Sequence, residues 1–167
     1  MARLKCQLRS KMFSLIACIG KNRELGKNGE LVFHIKEDMQ FFREKTDGHK
    51  VVMGRKTWES LPSKLKNRTN IVISRHDFDG PDEIIHNLTD FIAKNQNTDE
   101  EIFIIGGGKI YEEFLPVASN LYLTEVDADT DADTYFPEFD KNRYEKNLIK
   151  EGKDNDLAFS ISKYQLK

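Results

Sequence analysis

At 167 residues the chain is sized for one compact domain with its own core, and 38% hydrophobic with 32% charged residues excludes an intrinsically disordered chain. A net charge of −2 excludes a general nucleic-acid binder, which carries a basic excess. No apolar run reaches the roughly 18 residues of a membrane span, and the basic start MARLKCQLRSK lacks the apolar core of a signal peptide, so a cytoplasmic protein without a membrane partner is expected.

In chain order, FSLIACIG (13–20) is a short apolar run ending in glycine and reads as a buried strand. KNRELGKNGELVF, with Gly26 and Gly29, reads as a long mobile loop. A helix is expected over about 35–46, then the strand KVVMG (50–54), the short helix RKTWESL, the buried strand NIVIS (70–74) and a weaker strand EIIHN. LTDFIAKNQ reads as helix, EIFIIGGG (101–108) as a strand running into glycines, KIYEEFL as the helix behind it and NLYLTEVDAD (120–129) as a strand. Two alternating runs, 144–150 and 157–165, flank the turn GKDND and predict an antiparallel hairpin. Strands alternating with helices imply an α/β domain with a mostly parallel sheet, to which the hairpin adds an antiparallel edge. There is no internal repeat.

Cys6 and Cys18 have no metal-ligand pattern around them and read as free thiols, and His34, His49, His76 and His86 show no paired zinc spacing, so no metal is expected.

Three strands end alike: VVMG before Arg55 and Lys56, IVIS before Arg75 and His76, and FIIGGG before Lys109. Ligands of open α/β sheets gather at such strand ends, and Gly106, Gly107 and Gly108 let a backbone approach a pyrophosphate closely. The spacing is not that of the usual dinucleotide fingerprint, because Tyr111 stands where the third glycine belongs, and no G-K-[ST] of a P-loop follows. A tight turn with close helix packing also explains the glycines. Arg55, Lys56 and Arg75 match a doubly charged phosphate, such as the 2′-phosphate that separates NADP from NAD, or are ordinary surface charge. Arg68 suits a bidentate substrate carboxylate or is a solvated loop arginine.

Helical spacing puts Ile35, Met39 and Phe42 on one face with Glu37 opposite, while Asp38 has His34, Ile35, Phe41 and Phe42 three and four positions away. The plain reading is a partly exposed acid favoured by the helix dipole and paired with His34. The functional one is a carboxylate in an apolar pocket, completed by a flat heterocycle whose amino-amidine edge offers two parallel donors. Trp58 is a packing residue, and Phe41 and Phe42 are core or a stacking surface.

Together, SLIACIGKNRELGKNGEL, the helix with Asp38, VVMGRKTWESL, NIVIS, IFIIGGGKIYEEFL, LYLTEVDAD and DTYFP resemble dihydrofolate reductase over 12–167, leaving 1–11 as an N-terminal extension or non-native leader. The resemblance implies an eight-stranded mixed sheet flanked by four helices, and a monomer, target of antifolates, that reduces 7,8-dihydrofolate to tetrahydrofolate with NADPH. It implies that Asp38 binds the pterin edge and promotes protonation at N5, with Thr124 in the same network and Leu31 and Phe33 beside the chemistry. Ile16, Ala17, Phe42 and Leu61 would line the substrate pocket, Ile16 through its carbonyl, and Arg68 would pair with the glutamate tail. Ala17, Gly26, Gly54, Arg55, Lys56, Thr57, Ser74, Arg75, Gly106, Gly107, Gly108, Lys109 and Ile110 would surround the cofactor. The segment from Gly26 to Leu31 resembles a lid over the nicotinamide, and Asp133 lies in the loop that contacts it in some relatives. One departure stands out: Val32 and Phe33 replace the family's Pro-Trp, which keeps an aromatic wall, drops an indole donor and, without the proline's fixed φ, loosens the lid hinge. Two other readings are a pyrimidine reductase of riboflavin synthesis on a related fold and a non-catalytic nucleotide-binding module.

Overall fold

The structure, a computed structural model, describes residues 13–167; Cys6 and the leader expected over 1–11 lie outside the described residues. The elements follow as β1 (Phe13–Ile19), β2 (Glu24–Lys27), β3 (Glu30–Leu31), α1 (Lys36–Thr46), β4 (Lys50–Gly54), α2 (Arg55–Ser60), β5 (Thr69–Ile73), β6 (Glu83–Ile85), α3 (Leu88–Lys94), β7 (Ile102–Gly106), α4 (Gly108–Phe114), β8 (Asn120–Val126), β9 (Thr134–Tyr135), β10 (Tyr144–Asp154) and β11 (Leu157–Leu166).

Eight strands form one sheet in the order β10-β11-β8-β1-β7-β4-β5-β6. All pairs from β8 across to β6 are parallel, and β11 joins β8, and β10 joins β11, antiparallel. The central strands are covered on both faces, which is why they read as continuous apolar runs: every residue of β1 is buried. Alternation still sorts their side chains. Phe13, Leu15, Ala17 and Ile19 enter one core with Phe91 of α3 and Tyr111 and Phe114 of α4. On the other face, Ile16 packs with Val51, Met53 and Phe103 under Phe41, Phe42 and Trp58, and Cys18 packs with Phe33, Ile35, Val126 and Ile161. Phe41 belongs to both of the latter clusters, so α1 lies across their join. No helix among the described residues is long and apolar enough to cross a membrane.

Three expectations need correction. The segment expected to be a mobile loop holds β2 and β3, which pair with β9 in a second sheet of order β3-β2-β9. Its partner strand is two residues long and lies some hundred positions downstream, so no local pattern announces it. The terminal strands are longer than expected: Gly152, Lys153 and Asp154 belong to β10, and the turn is Asn155-Asp156, both at positive φ (46° and 67°), a pair suited to a two-residue hairpin. On α1, Met39 is 53% exposed rather than in the core, whereas Glu37 has one carboxylate oxygen buried without a hydrogen-bond partner among the described residues. Ile35 is the N-cap, with an extended backbone (φ −108°, ψ 122°), so it does not set the helical period.

The sheet centre sets the stability. Ile104, fully buried in β7 between β1 and β4, should cost about 2–5 kcal/mol when cut to alanine, read as a lower midpoint of urea unfolding with unchanged slope.

Candidate active site

The sheet opens where the three glycine- and base-tipped strands end. β7 stays paired with β1 only from Phe13↔Ile102 to Leu15↔Ile104, whereas β1 and β8 run together up to Ile19↔Glu125. Against β4, the register jumps from Val52↔Ile104 to Met53↔Gly106, so Ile105 is an extra residue in β7. Beyond Leu15 the two central strands therefore part, leaving a cleft at their carboxyl ends. Ile16 borders it, and its carbonyl, no longer paired to β7, accepts a 2.6 Å hydrogen bond from the Tyr111 hydroxyl of α4. Burial, then the charges of Asp38 and Cys18, push the Tyr111 phenol well up, so it stays a donor. Its partner carbonyl keeps a second lone pair.

Asp38 comes from the first turn of α1 and Thr124 from β8, opposite Cys18. The Thr124 hydroxyl donates to Asp38 Oδ1 at 2.6 Å, the one protein hydrogen bond found for this carboxyl among the described residues. Burial pushes the carboxyl up from its ordinary value, and the Thr124 hydroxyl pulls it part of the way back. The expected alternative pairing with His34 is absent; that side chain is exposed. Burial, and then the Asp38 charge, raise the neighbouring Cys18 thiol, which stays protonated and inert. Ile16, Phe42 and Leu61 gather in one apolar cluster beside the acid, while Ala17 turns to the opposite face.

Arg68 is not a solvated loop residue. Its Nε donates to Thr46 Oγ1, Nη1 to Lys66 O and Nη2 to Arg43 O, each at 2.9 Å, and Thr46 in turn donates to Phe42 O at 2.7 Å. These bonds fix the plane of the guanidinium, and two of its five N–H groups have no protein partner among the described residues.

On the other flank, α2 and α4 start directly from Gly54 and Gly107, neither with a side-chain cap, so their first N–H groups are not consumed by one. The two starts are adjacent: a Cβ on Gly107 would lie 3.6 Å from Thr57 Oγ1, and one on Gly54 would lie 3.2 Å from the Ile110 side chain. Gly106 takes φ +123° and the Gly106-Gly107 peptide is cis. Arg55, Lys56, Arg75 and Lys109 are exposed around this edge, with Arg55 bonded to Glu59 at 2.9 Å and stacked over Phe78. Ser74 is held at the tip of β5 by its N–H to Ile85 O and by His86 on its carbonyl. A backbone free of side chains, uncapped helix starts and an exposed basic rim fit a phosphorylated dinucleotide such as NADPH.

Over this cleft the β2–β3 ribbon carries Gly26 and Leu31, the latter 55% exposed, and Asp133 accepts from the Asn28 N–H at 2.9 Å. Phe33 is buried against Cys18 and Ile35, next to Gly20. Val32 gives its N–H to Leu25 O at 3.1 Å, a bond no proline can donate, so the loss of a fixed φ is offset by a tie that the hinge expectation did not include. Two residues of this site carry no local sequence signal: Tyr111, whose partner is Ile16 O, and Thr46, whose partner is the Arg68 guanidinium.

The raised Asp38 carboxyl has a definite sign for stability. Between its ordinary and its raised value the unfolded chain has lost the proton while the folded one keeps it, so stability falls as pH rises through that window. Asp38→Asn should therefore raise the melting temperature of the ligand-free protein at neutral pH, and the gain should vanish below the ordinary carboxylate range.

The family model described as dihydrofolate reductase matches residues 12–166. The chain is 38% identical over 133 residues to dihydrofolate reductase of Haemophilus influenzae, covering 80% of this chain and 83% of that one. It is 33% identical over 166 residues to dihydrofolate reductase HdrB of Haloferax volcanii, covering 93% and 84%. Its fold is similar to that of dihydrofolate reductase from Enterococcus faecalis complexed with NADP(H) and RAB-propyl, with a TM-score of 0.83 at 29% identity over 94% of this chain and 97% of that one. The chain belongs to the dihydrofolate reductase family.

Proposed function

We propose that the protein reduces 7,8-dihydrofolate to 5,6,7,8-tetrahydrofolate with NADPH, hydride arriving at C6 and a proton at N5, as a cytoplasmic monomer with 12–167 as its single domain. The observation that carries this reading is Asp38: a half-buried carboxyl with one protein partner, set beside Ile16, Phe42 and Leu61. A pterin's 2-amino and N3–H edge supplies the donors that the protein leaves out.

Asp38 then orients the ring through the two donors of its edge and, charged against them, favours protonation at N5. Thr124 fixes the rotamer of the acid. The apolar walls of Ile16, Phe42 and Leu61 set the ring plane, and Arg68 takes the α-carboxylate of the glutamate tail through its two remaining N–H groups. Gly106, Gly107 and Gly108, with the first turns of α2 and α4, cradle the pyrophosphate, and Arg55, Lys56, Thr57, Ser74 and Arg75 surround the 2′-phosphate. When bound, NADPH supplies the hydride. The β2–β3 ribbon, with Leu31 at its edge and Phe33 behind it, excludes water and holds the two rings together. A pyrimidine reductase is not favoured, since the family model and the relatives that the chain resembles are dihydrofolate reductases.

The direct test is NADPH oxidation on adding dihydrofolate, followed by absorbance with and without methotrexate; absence of methotrexate-sensitive oxidation contradicts the reading. Asp38→Asn should cut turnover by roughly 100-fold or more, and less at low pH where N5 is already protonated; a silent substitution would point to the non-catalytic module. Thr46→Val, which removes the acceptor from Arg68 Nε, should raise KM for dihydrofolate about fivefold with kcat unchanged, the loss of one hydrogen bond to a charged group outside the chemistry.

A further inference from the structure

Among the described residues, Glu24 is the one acid in the fully buried set, at 1% exposure, and neither the pterin nor the cofactor accounts for it. It opens β2 at the foot of the ribbon. No ion pair to it exists among the described residues. Its two oxygens instead accept from backbone: Oε1 from the Asn22 N–H at 2.5 Å and Oε2 from the Thr130 N–H at 2.9 Å. One donor lies just after β1 and the other in the connection between β8 and β9, 106 positions away in sequence.

The carboxylate sits at a junction. A Cβ on Gly20 would lie 2.8 Å from Glu24 Oε2, 2.8 Å from the Phe33 ring and 2.9 Å from Ala128 O, so the end of β1, the residue after the ribbon and the β8–β9 connection all meet there. Main-chain bonds cross the same seam, Lys21 N–H to Ala128 O at 2.9 Å and Phe136 N–H to Arg23 O at 2.8 Å. The other side-chain ties of the ribbon, Lys27 to Asp131 and Asp133 to the Asn28 N–H, are exposed. Exposed charges are screened by water and salt, whereas a buried carboxylate leaves two N–H donors unsatisfied if it is removed.

We infer that Glu24 is a positioning residue: its carboxylate clamps the foot of the β2–β3 ribbon to the β8–β9 connection and so holds the ribbon over the reacting rings during hydride transfer. The inference rests on the proposed reductase activity for its kinetic consequence and not for the clamp itself. An amide at this position keeps one acceptor and turns an NH2 group against the second N–H.

Glu24→Gln should slow the single-turnover hydride-transfer rate about tenfold. The dissociation constant for dihydrofolate should stay near the wild-type value, and the melting temperature should fall by only a few degrees, as one unsatisfied donor costs. Hydrogen exchange at the amides of residues 26–31 and at Asp133 should accelerate, with β1 and β7 unchanged. Thr130→Pro, which deletes the donor from an exposed loop position and leaves Glu24 in place, should reproduce both effects, and it decides the matter if Glu24→Gln fails to fold. An unchanged transfer rate with unchanged ribbon exchange overturns the inference, as does faster exchange spread through the whole core. Wild-type protein without dihydrofolate turnover would defeat the reductase reading, and the exchange measurement would still decide the clamp.

Discussion

The hydrogen bond from Thr124 to Asp38 is the constraint around which the site is organised. It joins α1 to β8 and fixes an acid that its surroundings disfavour as a charge. Everything near it serves that placement. Ile35 is fully buried at the helix start, Phe41 spans two apolar clusters, and Cys18 and Phe33 pack together against Ile35. A carboxyl so placed lowers the stability of the free protein at neutral pH, and a ligand with matching donors recovers what the fold gives up.

The cleft itself is a property of strand pairing. β1 leaves β7 after Leu15 and continues along β8, while β7 takes up an extra residue at Ile105 before its glycines. The parting exposes the Ile16 carbonyl on one side and the Gly106-Gly107 backbone on the other, and Tyr111 bridges them: its hydroxyl binds Ile16 O and its ring would meet a Cβ on Gly106 at 3.3 Å. A larger residue at Gly106 would have to displace that ring. The substitution of Pro-Trp by Val32 and Phe33 fits the same frame, since Val32 adds a main-chain bond to Leu25 O and Phe33 fills the space under Gly20.

What the sequence made legible follows from range. The central strands and the helices behind them were readable because continuous apolar runs and strand–glycine–helix junctions are local signals. Asp38 stands out locally because Phe41 and Phe42 follow it at three and four positions. The features that escaped depend on partners far along the chain. β2 and β3 need β9, Arg68 is anchored by Thr46 and Arg43 from another element, and Glu24 meets Thr130 across 106 positions. Met39 is exposed for a local reason: Ile35 is the extended N-cap, outside the helix, and the buried face does not follow its phase. Tyr111 marks in sequence only a departure from the dinucleotide fingerprint, because the carbonyl it donates to, Ile16 O, lies 95 positions away.

Asp38 waits for donors that only a ligand brings, and its carboxyl carbon, followed by NMR through a pH titration in the free protein and with folate bound, reports this. The midpoint should lie above the ordinary carboxylate range in the free protein and fall clearly on binding, because two donors facing the oxygens favour the charged form. An ordinary midpoint in the free protein, or one that does not move when folate binds, would contradict it.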